Sequence, residues 1–166
     1  MIVLKPALAA RAARFIAACT RAKLTVAVAE SCTGGLLSAL LTEKSGASAA
    51  MKLGLVTYAN EAKERMLKVP RRMLKDHGAV SEQVARAMAK GALAAGKTHL
   101  AVSITGIAGP KRDDTDKPVG LVYIAAVRRG RPPAVRRFTF GNIGRAKVRA
   151  KSVAAALRML EALLKA

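Results

Sequence analysis

The run from Thr25 to Leu41 constrains this chain more than any other. Thr25-Val26-Ala27-Val28-Ala29 is short, apolar and partly β-branched, which reads as a buried strand. Leu36-Leu37-Ser38-Ala39-Leu40-Leu41 reads as a helix, and only Glu30-Ser31-Cys32-Thr33-Gly34-Gly35 separates the two. The chain must therefore pass from strand to helix in one tight turn, with Ser31 just ahead of a helix N-terminus. Unpaired N–H groups and the positive dipole end collect there, suited to an anion or a developing oxyanion. Gly34 and Gly35 remove two side chains and let a ligand approach the backbone. An ordinary N-cap with glycines for close packing explains the same local pattern.

Strands are expected near 25–29, 52–58, 98–104, 119–127 and 134–140, alternating with helices in the first part of the chain. The expected class is α/β, a layered sandwich with a mixed central β-sheet covered by helices. Arg129-Gly130-Arg131-Pro132-Pro133 reads as a hairpin connection and implies one antiparallel pair. Leu8, Ala12, Phe15 and Cys19 form one stripe of a first helix; Val153, Leu157, Leu160 and Leu164 do so in a last one. Residues 1–166 are read as a single domain, because no repeat, linker or low-complexity tract divides them. Aromatic residues make up only 3%, so aliphatic side chains and alanines must fill the interior.

Two further segments share the strand-to-loop arrangement: Val56-Thr57-Tyr58 leading into Ala59-Asn60-Glu61-Ala62-Lys63, and Ser103-Ile104-Thr105-Gly106-Ile107-Ala108-Gly109-Pro110. With Ala29–Gly35 they resemble the CinA C-terminal domain family. His77-Gly78-Ala79-Val80-Ser81-Glu82, Lys117-Pro118-Val119-Gly120 and Phe140-Gly141-Asn142-Ile143-Gly144-Arg145 complete six motifs in the family's order. The resemblance runs from about Thr25 to the C-terminal helix. It implies a nicotinamide-nucleotide amidohydrolase, converting nicotinamide mononucleotide to nicotinic acid mononucleotide and ammonia without a cofactor. It also implies a homo-oligomer, and larger relatives with an additional N-terminal domain that this sequence does not include.

Amide hydrolysis needs a nucleophile, a proton acceptor and an oxyanion site, and this substrate also needs a phosphate site. Ser31 holds the family's nucleophile position. Lys63 is the expected base, since burial or neighbouring cations lower a lysine pKa toward neutrality; outside the motif it would read as a solvated helix cation. Tyr58 is expected to relay or orient the proton, or else to be a core aromatic. Thr33, Gly34, Gly35, Thr105, Gly106 and Gly109 offer backbone N–H groups to the substrate. Asn60 joins the substrate-binding set, and Arg145 is expected to contact the phosphate. His77 and His99 read as partly exposed or core histidines rather than bases. GxGxxG does not occur, so no dinucleotide fingerprint is supported.

Cys32 competes with Ser31, because a thiolate is intrinsically the stronger nucleophile. Adjacent residues in a tight turn point apart, so one of the two is expected to face the pocket, with Cys32 a small buried residue. Cys19 reads as core. Two cysteines without a CxxC pair or signal peptide give no disulfide framework or zinc signature and fit a reducing cytoplasm. The family's glycine-rich connection is replaced here by Lys111-Arg112-Asp113-Asp114-Thr115-Asp116. Its three aspartates read as a solvated turn; no flanking Glu or His completes a metal site, and none is expected.

The net charge of +20 is unexplained by this chemistry. Steering of an anionic nucleotide substrate is one reading. A non-catalytic, strongly basic nucleic-acid-binding variant of the fold is another, and a surface altered for solubility is a third. The basic residues spread over several helices in sequence, and few aromatics are available for base stacking. Nonspecific polyanion binding is expected under all three. No apolar run approaches a transmembrane span, and no membrane partner is expected.

Overall fold

Alternation along the first strand decides the layers. In the computed structural model, which describes residues 5–111 and 115–165, Val26 and Val28 point to one face of the sheet and Ala27 and Ala29 to the other. The elements are α1 (Pro6–Arg21), β1 (Val26–Glu30), α2 (Leu36–Thr42), a 3-10 turn (Ala47–Ala49) and β2 (Met51–Val56). There follow α3 (Asn60–Leu67), α4 (Arg71–His77), α5 (Glu82–Gly96), β3 (Leu100–Gly106), β4 (Leu121–Arg128), β5 (Ala134–Thr139) and α6 (Arg145–Leu163). The valine face carries α1, α2 and α6, with Phe15, Leu37, Leu157 and Leu160 packed on Val102, Ile104 and Ile124. The alanine face carries α5, whose Ala85, Ala89 and Ala92 lie against Ala27, Ala101 and Ala125. Small residues on both sides let α5 approach the sheet closely, which is how a core poor in aromatics closes. Gly91 takes this furthest: a Cβ there would overlap the Leu67 carbonyl oxygen.

The sheet order is β2-β1-β3-β4-β5. β1 pairs in parallel with both β2 and β3, so the chain leaves β1 to one side and returns on the other. A ligand crevice is expected outside the carboxyl end of such a switch strand. This mixed α/β sandwich is the expected class. One detail is corrected: two pairs are antiparallel, β3 with β4 as well as β4 with β5. Among the described residues the connection between β3 and β4 contains no crossover helix, and a parallel return usually requires one.

All five expected strands form, shifted by one or two residues. The second ends at Val56, which leaves Thr57 and Tyr58 in the loop before α3. Cys19 is fully buried on α1, and Leu157 and Leu160 are fully buried on α6. His99 is half-buried, with Nδ1 accepting from the Thr25 N–H at 3.1 Å; His77 is exposed at the end of α4. No helix among the described residues is long and apolar enough to cross a membrane.

Candidate active site

Ser31 follows β1 directly, and its N–H donates to the Ile104 carbonyl of β3 at 2.9 Å, pinning it at the switch point. Lys63 arrives from the first turn of α3, fixed in place when the Thr57 N–H donates to the Glu30 carbonyl at 2.8 Å. Its Nζ donates to Ser31 Oγ at 3.2 Å, to the Thr57 carbonyl at 2.9 Å and to the Tyr58 carbonyl at 3.2 Å. Lys63 is 1% exposed, so the reading as a solvated cation is excluded. Burial pushes its pKa from the usual 10.5 down to about 8, with nearby Cys32 and Glu61 opposing the shift. Among the described residues no neighbouring cation drives it and no carboxylate is bonded to the ammonium, which donates to one hydroxyl and two carbonyl groups.

A cavity of about 250 Å³ opens onto this pair. Ser31, Lys63, Tyr58, Asn60, Thr105, Gly106, Gly109 and Arg145 all line it, so the structure brings eight of the expected residues together. Cys32 also borders it, but it is the small buried residue expected, packed within the core on the valine face of the sheet. The thiol is a poor competitor. It is 5% exposed, and burial pushes its pKa up to about 12, leaving little thiolate near neutral pH.

Tyr58 is not a core aromatic; it is 60% exposed. Arg145, the first residue of α6, donates to the Tyr58 hydroxyl at 3.2 Å and to the Gly109 carbonyl at 3.0 Å. Tyr58 thus touches Lys63 through its backbone, while its side chain joins Arg145 at the rim. The Thr105 hydroxyl donates to the Ala79 carbonyl at 2.8 Å and ties the loop before α5 to the pocket wall.

Thr33, Gly34 and Gly35 are not brought to this cavity. The anion seat expected at the start of α2 already has an internal occupant. The fully buried Glu30 carboxylate accepts from the Leu37 N–H at 3.1 Å, the Ser38 N–H at 2.8 Å and the Ser38 hydroxyl at 2.8 Å. A carboxylate satisfying helix N-terminal donors is what the dipole favours, and here the protein supplies its own. Thr33 offers its carbonyl to Arg149 at 2.7 Å instead, and a Cβ on Gly34 would meet that guanidinium at 3.3 Å.

Sequence reading missed Lys111, Ala79, Val80, Ile107 and Ala108 as wall residues, and Glu30 and Arg149 as supports of the turn. Arg149 lies one helical turn after Arg145 on α6, a spacing that could have flagged it. Of the aspartate loop, Arg112, Asp113 and Asp114 lie outside the described residues. A larger groove of about 750 Å³ between α1 and α2 is lined mainly by alanine and leucine and brings no serine, cysteine or histidine.

A serine hydroxyl and a buried lysine amine, held together at the switch point of a mixed sheet, define an α/β protein built around a Ser–Lys pair. Comparison with known proteins places it more narrowly. The family model described as CinA C-terminal domain matches residues 8–164, and the chain belongs to that family. A CinA-like protein of Geobacter sp. (strain M21) is 50% identical over 141 residues, which are 85% of this chain and 34% of that protein. One from Citrifermentans bemidjiense is 55% identical over 117 residues, 70% of this chain and 28% of that protein. The chain therefore spans about a third of the length of such relatives. The crystal structure of the competence/damage inducible protein CihA from Agrobacterium tumefaciens superposes with a TM-score of 0.93 at 44% identity, covering 98% of this chain and 99% of that one. The CinA-superfamily protein from Escherichia coli gives 0.89 at 30% identity, covering 98% and 95%.

Proposed function

We propose that the chain hydrolyses a carboxamide on a pyridine mononucleotide, converting nicotinamide mononucleotide and water to nicotinic acid mononucleotide and ammonia. The observation that carries this is the 3.2 Å approach of a desolvated Lys63 amine to Ser31 Oγ. As an ammonium, Lys63 spends its three protons on Ser31, Thr57 and Tyr58. As a neutral amine it keeps the two carbonyl bonds and turns its lone pair toward the Ser31 hydroxyl. That is the geometry of a general base on a nucleophile.

Ser31 Oγ then attacks the amide carbon while its proton passes to Lys63 Nζ. The Cys32 N–H, next after the nucleophile, is the donor assigned to the oxyanion. Collapse breaks the C–N bond, and Lys63 returns the proton to the departing ammonia. Water, deprotonated by Lys63, hydrolyses the acyl-serine and releases the carboxylic acid. Arg145 and Lys111, both on the cavity wall, supply the cations for the substrate phosphate, in place of the Thr33–Gly35 turn.

Ammonia release from nicotinamide mononucleotide, measured with no added metal, tests this reading. Stoichiometric ammonia and acid support it, and no release at enzyme concentrations that give a well-folded protein overturns it.

A further inference from the structure

Thirty Lys and Arg stand against ten Asp and Glu, so the informative question is where cations gather without carboxylates. The place is the outer side of α5, from its second turn to the end of the sheet remote from Ser31. Two adjoining grooves of about 550 Å³ and about 510 Å³ run along α5 and share Lys90. Lys97, Arg129 and Arg131 line the first, Lys68 and Arg86 the second, and among the described residues no Asp or Glu lines either. Among the described residues, Arg86 alone of these six makes an ion pair, with Glu82. Arg129 donates to the carbonyl groups of Lys97 and Thr98 and keeps its full charge. The six come from the end of α3, from α5 with its C-cap, and from the β4–β5 turn. Folding thus assembles a track that is scattered in sequence. The Arg129 N–H bonds to His99 at the start of β3, whereas Ser31 bonds to Ile104 near its end. At about 3.3 Å per residue, roughly 17 Å of strand separates the Arg129 end of the track from Ser31.

We propose that this α5 groove is a binding site for the phosphate backbone of double-stranded nucleic acid, without sequence preference. A row of six cations with one acidic partner, Glu82 on Arg86, matches a polymer carrying one charge per about 1.7 Å of duplex axis, and counterion release supplies the binding energy. Single strands fit less well, because they are held by stacking on aromatic rings and no Phe or Tyr lines either groove. An anionic bilayer fits less well again. Interfacial binding needs large exposed apolar side chains, and those present (Val56, Tyr58 and Met66) line neither groove. The site goes beyond the amidohydrolase reading and does not depend on it.

The test is a duplex-binding titration by fluorescence anisotropy over a series of salt concentrations, with single strands and phosphatidylserine vesicles as parallel probes. The triple variant Lys90→Gln, Lys97→Gln, Arg131→Gln removes three groove charges. A control, Lys147→Gln, Arg158→Gln, Lys165→Gln, removes three exposed charges from the region of α6. Wild type is expected to bind duplex with a dissociation constant of about 1–100 μM at physiological salt. The groove variant should lower the slope of log affinity against log salt by about 2.7, at about 0.9 per lost phosphate contact. The control should change it by less than about 1. Far-UV circular dichroism and ammonia release should be the same in all three proteins. Equal losses in the two variants, no duplex binding by wild type, or tighter binding to single strands or vesicles would each overturn the assignment.

Discussion

Glu30 and Ser31 are neighbours with opposite duties: the first seals the helix N-terminus that the second would otherwise share with a ligand. The Glu30 carboxylate accepts three hydrogen bonds from Leu37 and Ser38, while Ser31 Oγ turns into the cavity toward Lys63. The nucleophile is held by a structural anion behind it and faces a buried base in front.

That relationship predicts a separable effect on stability. Glu30→Ala should destabilise the fold by about 3 kcal/mol, because buried donors lose a charged acceptor. Glu30→Gln should cost less, since an amide oxygen in the Oε1 place still accepts two of the three bonds, both from Ser38. Denaturant titration of the two variants checks the order. Equal stability of Glu30→Ala and wild type would remove the cap from the account.

Ser31→Ala is expected to abolish ammonia release while substrate still binds, as judged by calorimetry. Cys32→Ala should remain active within a few-fold, because the thiol it removes stays protonated up to about pH 12. Loss of activity in a folded Cys32→Ala protein would transfer the nucleophile to the sulfur.

Lys63 gives a pH signature. Activity should rise as pH increases through about 8, since only the neutral amine accepts the Ser31 proton. Lys63→Ala should lower kcat far more than it raises KM, and added chelator should change neither protein. A variant that mainly raises KM would make Lys63 a substrate clamp instead.

The same group ties stability to pH. The folded pKa of about 8 lies below the unfolded value of 10.5, so between these limits the unfolded chain binds more protons and stability rises with pH. Below about pH 8 the full penalty, about 3 kcal/mol, is present. Lys63→Met lacks this dependence. Its stability relative to wild type should therefore fall by up to about 1.4 kcal/mol per pH unit between pH 8 and 10. Parallel denaturation curves for both proteins across that range measure it; a constant difference would mean that the lysine pKa is not lowered.

Gly91 offers a purely structural check. Gly91→Ala places a methyl into the Leu67 carbonyl, which belongs to backbone and cannot swing aside. The variant should lose about 2 kcal/mol or more, as overpacked sites do, with a matching drop in melting temperature.

Local pattern by itself determined the strand-turn-helix at Thr25–Leu41, the placing of five strands and the buried stripes of α1 and α6, while Lys63 and Arg145 became candidates through the resemblance of their motifs to a known family. Those follow from periodicity and from motif order, which are written along one stretch of chain. Tertiary structure alone decided the environment of each group. Lys63 has a depressed pKa because α3 packs its side chain under the end of β1, a long-range burial that no local spacing encodes. Thr33, Gly34 and Gly35 fall outside the cavity because Glu30 reaches the start of α2 first. β4 runs antiparallel to β3, a pairing that the described part of their connection permits by lacking a crossover helix. The basic track exists only once α5 lies beside the β4–β5 turn. Each depends on which elements meet in space, and sequence neighbours say little about that.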